Sequence, residues 1–208
     1  MSKGSVVPIA APAVARQHVS DVIMDLVLRV PESSERELEQ PNARASAIAR
    51  KASRQASLLA GSLALPPGFL GWLTILPELV GVWKLQAQMV SDIAALYGKT
   101  PTLGREQMIY CLFKHVSAQL FRDVVVRAGE RYLVRRVSLG FLKAIARTVG
   151  ATVTQKIIGK GVSRFVPLLG AVGVSAYAYF DTLQVAKTAV ELFSSEITLD
   201  AEEISTEI

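Results

Sequence analysis

LALPPGFLGWLTILPELVGVWKLQAQMVSDIAALYG, residues 63–98, sets the fold class. Its second half places Leu79, Val82, Leu85/Gln86, Met89, Ile93 and Leu96/Tyr97 at the three-to-four spacing of one buried helix face. Gly98 supplies a C-terminal cap, and Pro101 follows just beyond it. Pro77 suits a first helical turn, so the spacing predicts a helix over 77–98. Upstream, residues 69–76 read as a short apolar element and Pro66-Pro67-Gly68 as a turn. The uncharged stretch 55–77 has the length of a membrane span by count alone, since a span needs roughly 20 apolar residues. The Pro-Pro-Gly break leaves two arms too short to span singly, and Gln55, Ser57, Ser62 and Thr74 dilute them. Two readings stay open: paired core segments, or a membrane-inserting hairpin whose apolar residues are Leu65, Phe69, Leu70, Trp72 and Leu73.

Outward from this stretch the helical period continues. Residues 16–30 carry Val19, Val22, Ile23, Leu26 and Val30 on one face and Asp21 and Asp25 on another, and Pro31 ends the run. PESSERELEQPN (31–42) is polar and acidic, a connector or a short exposed helical turn. Residues 43–65 open on Arg44, Arg50, Lys51 and Arg54, then turn apolar, and their alanines favour helix. Residues 105–137 read as one long helix, or two broken at Gly129, with Arg127, Arg131 and Arg135 at i, i+4 and i+8. Further helices are expected over 139–158 and 166–193, separated by a GKG turn at 159–161. The last carries Ala171, Ser175, Ala178, Thr182, Ala186 and Ala189, a small-residue stripe that lets another helix approach closely. No strand pattern and no solenoid period is evident. The expectation is all-α: a single bundle of about six to seven helices over 16–193. An irregular segment (1–15) precedes it and an acidic flexible tail (194–208) follows.

Composition bounds what such a bundle does. The chain has 208 residues, a net charge of +5 and mean hydropathy +0.34, half of it apolar. That excludes a disordered or collagen-like chain. The single Cys111 forms no internal disulfide. The start, MSKGSVVPIAAPAVARQH, imitates a secretory signal, but Pro8 and Pro12 oppose its helical h-region. FVPLLGAVGVSAYAYF (165–180) is short for a span and typical of a buried core helix. The net charge hides an asymmetry: residues 1–164 carry +11 and residues 165–208 carry −6, with +10 concentrated in residues 99–164. A basic segment followed by an acidic tail points to contact with an anionic surface, or with the tail itself.

Catalytic chemistry finds little support. Cys111 and His115 share one helical face but sit in an apolar stripe without a second donor pair, so a core role outweighs a metal or thiolate–imidazole pair. GKGVS (159–163) lacks the first glycine and the strand of a phosphate loop. No Ser-His-acid or G-x-S-x-G pattern occurs. Glu78, Asp92 and Asp181 are candidate buried carboxylates, for which helix capping or an arginine partner is the usual role. The expectation is a protein without catalytic, cofactor or metal site. Its basic face lacks the aromatic platforms that nucleic acid binding wants, Tyr132 alone being poor support. Attraction to anionic lipid needs only basic residues beside apolar ones, and Arg127, Arg131, Arg135, Arg136, Lys143 and Arg147 supply them.

Residues 63–98 also resemble the signature of the EcsC family of bacterial helical proteins, at Pro67, Gly68, Glu78, Leu85, Gln86, Ile93, Ala94, Tyr97 and Gly98. FVPLLGAVGVSAYAYFDTLQVAKTAVELF (165–193) resembles the family's C-terminal Pro-x-x-Gly-Ala helix at Pro167, Gly170, Ala171, Ala186 and Ala189. The polar residue usual in the middle of that helix has no clear counterpart here, where Ser175 and Tyr177 stand nearest its place. The resemblance implies a helical, often membrane-associated bacterial protein with no established catalytic residues. The resulting expectation is a non-enzymatic amphitropic protein, cytoplasmic and peripheral to the inner face of the cell membrane. Its partner would be the anionic membrane surface or a membrane protein. The alternative is a soluble interaction module or homo-oligomer, a partner of a transporter or toxin, whose acidic tail shields the basic face.

Overall fold

The helix that opens the argument ends where its sequence says it should. In the computed structural model α3 spans Gly71–Leu96, and Gly98 follows at φ +69°. The Gly98 N–H donates to Ala95 O (3.0 Å) and the Lys99 N–H to Ala94 O (2.8 Å), the paired bonds of a Schellman cap. The structure describes residues 13–63, 71–116, 118–122, 124–128, 131–159 and 167–197. Leu65, Pro66, Pro67, Gly68, Phe69 and Leu70 lie outside them, as do the first twelve residues and the tail beyond Ile197.

Six α-helices appear among the described residues: α1 (Ala13–Leu28), α2 (Pro41–Leu63), α3, α4 (Arg105–Phe113), α5 (Leu139–Gly159) and α6 (Pro167–Ser195). The chain is an all-α bundle, as the periodicity predicts. Pro77 is a correction. It lies inside α3, not at a helix start. The chain therefore gives up one backbone bond near the N-terminal end of a helix that packing and the remaining bonds hold.

Helices α2, α3 and α6 form the central layer, and α1 packs on α5. Small residues set the closeness of the α2–α6 contact. Ala45, Ala49, Ala52, Ala56 and Ala60 are buried along α2, and Ala178, Thr182, Ala186 and Ala189 along α6. Gly61 faces the Ser175 hydroxyl so closely that a Cβ there would collide with it. The stripe read from α6 thus has its partner, α2. The main core joins Ile23, Val27, Met89, Ile93, Met108, Leu112, Leu142 and Phe193, with Trp83 edge-on to Phe113 at 5.2 Å.

The region 105–137 departs from its expected helix. α4 stops at Phe113, a 3₁₀ turn follows at Ala118–Phe121, and β1 (Val125–Ala128) pairs antiparallel with β2 (Arg131–Val134). β3 (Glu196–Ile197) joins β2 in parallel, giving the order β1-β2-β3. Val124-Val125-Val126 and Tyr132-Leu133-Val134 are β-branched and aromatic runs, and pairing Ala128 with Arg131 leaves only Gly129-Glu130 between them. The even spacing of the arginines mimicked a helix face, but Arg127 and Arg131 lie on strands and Arg135 just beyond one. The first residues of the segment expected as tail are regular structure, since Ser194 and Ser195 complete α6 and Glu196–Ile197 form β3. No helix among the described residues is long and apolar enough to cross a membrane.

Candidate functional site

Three groups of polar side chains stand out. The first ties α3 and α6 to the turn that follows α4. Gln86, fully buried, donates its amide to Asp181 Oδ2 (2.9 Å) and Thr182 Oγ1 (3.1 Å). His115 Nε2 lies 2.8 Å from Asp181 Oδ1. Partial burial of its ring, with the adjacent Asp181 carboxylate, pushes the Tyr177 phenol up. Gln86 Oε1 and Ser53 Oγ, both in the α2–α3–α6 layer, are buried without a hydrogen-bond partner among the described residues. This cluster absorbs two candidates of the sequence reading. His115 pairs with Asp181, and Cys111 is a buried thiol outside any disulfide. No group of three or more metal-ligating side chains occurs among the described residues. Thr182 and Gln86 are sealed from solvent, and their hydrogen bond links α3 to α6.

The second group surrounds Lys114. Its Nζ is 3.4 Å from Glu191 Oε2 and 5.3 and 5.9 Å from the ring centroids of Tyr110 and Tyr132. Burial disfavours the charged amine, but Tyr110, Tyr132 and Glu191 outweigh it and hold Lys114 above its ordinary value. Burial pushes the Tyr110 phenol up. This group anchors β2 and α4 to α6.

The third group is accessible. Arg135 and Arg136 are exposed as the chain leaves β2, and Lys143 and Arg147 are exposed one turn apart on α5. Between them Leu139 and Phe141 are also exposed, at 46% and 38%. Among the described residues none of these four cations has a carboxylate within 4.0 Å. Residues 131–180 hold eight Lys/Arg and no Asp or Glu, so no neighbour in the chain neutralises them. A groove of 350 Å³ runs between α1 and α5, with Lys143 and Arg147 on one wall and Asp21 and Asp25 on the other. Charge facing charge across a helix pair carried no signal in the sequence, because the two pairs lie more than a hundred residues apart.

The residues of the family-like motif hold the frame. Tyr97 donates to Asn42 Oδ1 (2.6 Å), Gly98 forms the cap, and Gln86 joins the buried clamp. Asp92 accepts from Ser33 (2.7 Å) and Gln88 (2.9 Å), and the Leu38 N–H donates to Leu96 O (3.1 Å). The acidic connector is thereby strapped along α3. Trp72, Leu73 and Glu78 fall in α3 and Gly170 in α6. The proposed apolar hairpin otherwise lies outside the described residues. Exposed apolar side chains appear instead at Leu58 of α2 and at Val172, Tyr177 and Phe180 of α6, each more than half exposed. No protein-family model, curated protein or solved structure matches the chain. The protein is an all-α bundle with a small sheet and a cationic surface beside it.

Proposed function

We propose that this is a non-catalytic peripheral protein that docks on the anionic inner face of a cell membrane. Arg135, Arg136, Lys143 and Arg147 supply the attraction, and Leu139 and Phe141 enter the interface. One observation carries the reading: these exposed cations and apolar side chains alternate along a segment that contains no acidic residue. Each basic residue beside such a surface contributes about 1 kcal/mol, a term that salt weakens. Together the four contribute about 4 kcal/mol of weak, reversible attraction, to which the apolar side chains add. The resemblance to the EcsC family supports the same location, and a membrane protein at that surface is a compatible partner.

Flotation with vesicles of neutral or anionic lipid tests the reading. Recovery is expected with anionic vesicles at low salt and loss at high salt. Arg135→Glu with Arg136→Glu removes about 2 kcal/mol or more, a weakening of roughly thirtyfold. Equal recovery with both lipids at both salts would sink it. A second reading, a soluble module that self-associates, is favoured by exposed Val172, Tyr177 and Phe180 on α6 and Leu58 on α2. Sedimentation velocity decides it: a concentration-dependent dimer abolished by Phe180→Glu supports self-association, and a monomer throughout excludes it.

A further inference from the structure

We infer that the groove between α1 and α5 receives the phosphoethanolamine head group of a membrane lipid. This rests on the membrane reading above and names the lipid chemistry. Asp21 and Asp25 stand one turn apart on α1, and Lys143 and Arg147 one turn apart on α5. The two helices pack directly, yet among the described residues no ion pair within 4.0 Å bridges the rows. The carboxylates are held on their own helix instead. Asp25 meets Arg29 at 2.8 Å, and Asp21 accepts from the Gln17 amide at 2.9 Å. Among the described residues the cations have no such partner, and a 350 Å³ groove separates the rows.

A ligand that fits must carry both charges a short distance apart. The phosphodiester would meet Lys143 and the forked donors of Arg147. The primary ammonium would give its N–H groups to Asp21 and Asp25. A bare phosphate gains the first contact but is repelled by the acidic wall. A choline head has no N–H to give. Lys84 of α3 lines a second groove on the other side of the same carboxylates, so α1 is already partly compensated and favours a neutral zwitterion over a dication. Met24 and the half-exposed Leu28 line the wall as well and present apolar surface to the glycerol end. Leu139, one turn before Lys143, and the Arg135-Arg136 pair bring this groove to the bilayer in the proposed docking pose.

The test separates groove from membrane. Amide chemical shifts of the full chain are followed during titration with glycerophosphoethanolamine, glycerophosphocholine and glycerol 3-phosphate. Saturable shifts in α1 and α5 are expected with the first, and at least severalfold weaker binding with the other two. Asp21→Asn with Asp25→Asn, and separately Lys143→Gln with Arg147→Gln, should each weaken binding at least tenfold. All four side chains are exposed, and circular dichroism checks that the variants stay folded. Absence of saturable shifts overturns the inference. So does equal affinity for glycerol 3-phosphate that the asparagine variant leaves unchanged. In flotation at a fixed anionic fraction, exchanging phosphatidylcholine for phosphatidylethanolamine should raise recovery of wild type but not of the asparagine variant. Charge-dependent flotation without that difference refutes the head-group inference and leaves the docking reading standing. Head-group binding in the groove without charge-dependent flotation refutes the docking reading alone.

Discussion

Gly98→Ala is the sharpest probe of how the motif helix is terminated. Gly98 adopts φ +69°, where a Cβ crowds the following carbonyl at a cost of about 1–2 kcal/mol. Alanine also narrows the unfolded ensemble, which offsets about 0.4–1 kcal/mol. A Cβ at this position would lie 2.6 Å from the Glu37 carboxyl carbon, but Glu37 is exposed and its end can swing aside. The expected net loss is therefore about 1 kcal/mol, or roughly 2–4 °C in Tm for a domain of this size. Urea denaturation of wild type, Gly98→Ala, Gly98→Asn and Gly98→Ala with Glu37→Ala measures it. Asparagine tolerates this conformation and should lose less than alanine. Removing Glu37 should restore only a few tenths of a kcal/mol. Full rescue by Glu37→Ala would refute the backbone argument and assign the loss to the collision. An alanine variant as stable as wild type would refute both.

Asp181→Ala should cost about 1–3 kcal/mol, because it takes a partner from both Gln86 and His115. Gln86→Leu should cost less, since it also removes the unpartnered Oε1, and thermal denaturation ranks the two. Ala56→Leu should destabilise by about 1–3 kcal/mol by forcing apart the fully buried α2 seam, while Ala47→Leu, exposed on the same helix, should stay near wild type in the same assay. The Arg44 guanidinium, bonded to Glu35 at 2.6 and 3.1 Å, holds that carboxyl below its ordinary value. Its stabilising contribution is complete above the ordinary glutamate range and disappears as pH falls through the lowered value. The difference in urea midpoint between wild type and Glu35→Gln should therefore shrink on acidification.

Most helices were legible because their information is local. Val19, Ile23 and Leu26 repeat at helical spacing and are buried on α1, with Asp21 and Asp25 outside. Gly98 caps α3 because the chain there needs a left-handed residue, and glycine is the one without a Cβ penalty. The stripe on α6 correctly implied a close helix neighbour without saying which. The segment after α4 misled for a physical reason. Arginines every fourth residue satisfy a helical spacing, yet the valines around them gain more by pairing as strands against Tyr132-Leu133-Val134.

By itself, the sequence determined the all-α class, most helix limits, the Gly98 cap and the excess of positive charge, all properties of neighbours along the chain. Only the tertiary structure decided where that charge lies and what it faces. It brought His115 to Asp181, strapped the acidic connector onto α3, and set Asp21 and Asp25 across a groove from Lys143 and Arg147. Those pairings join residues dozens to more than a hundred positions apart. Spacing cannot encode them, because they follow from which apolar faces bury one another and which polar side chains are carried together as a result.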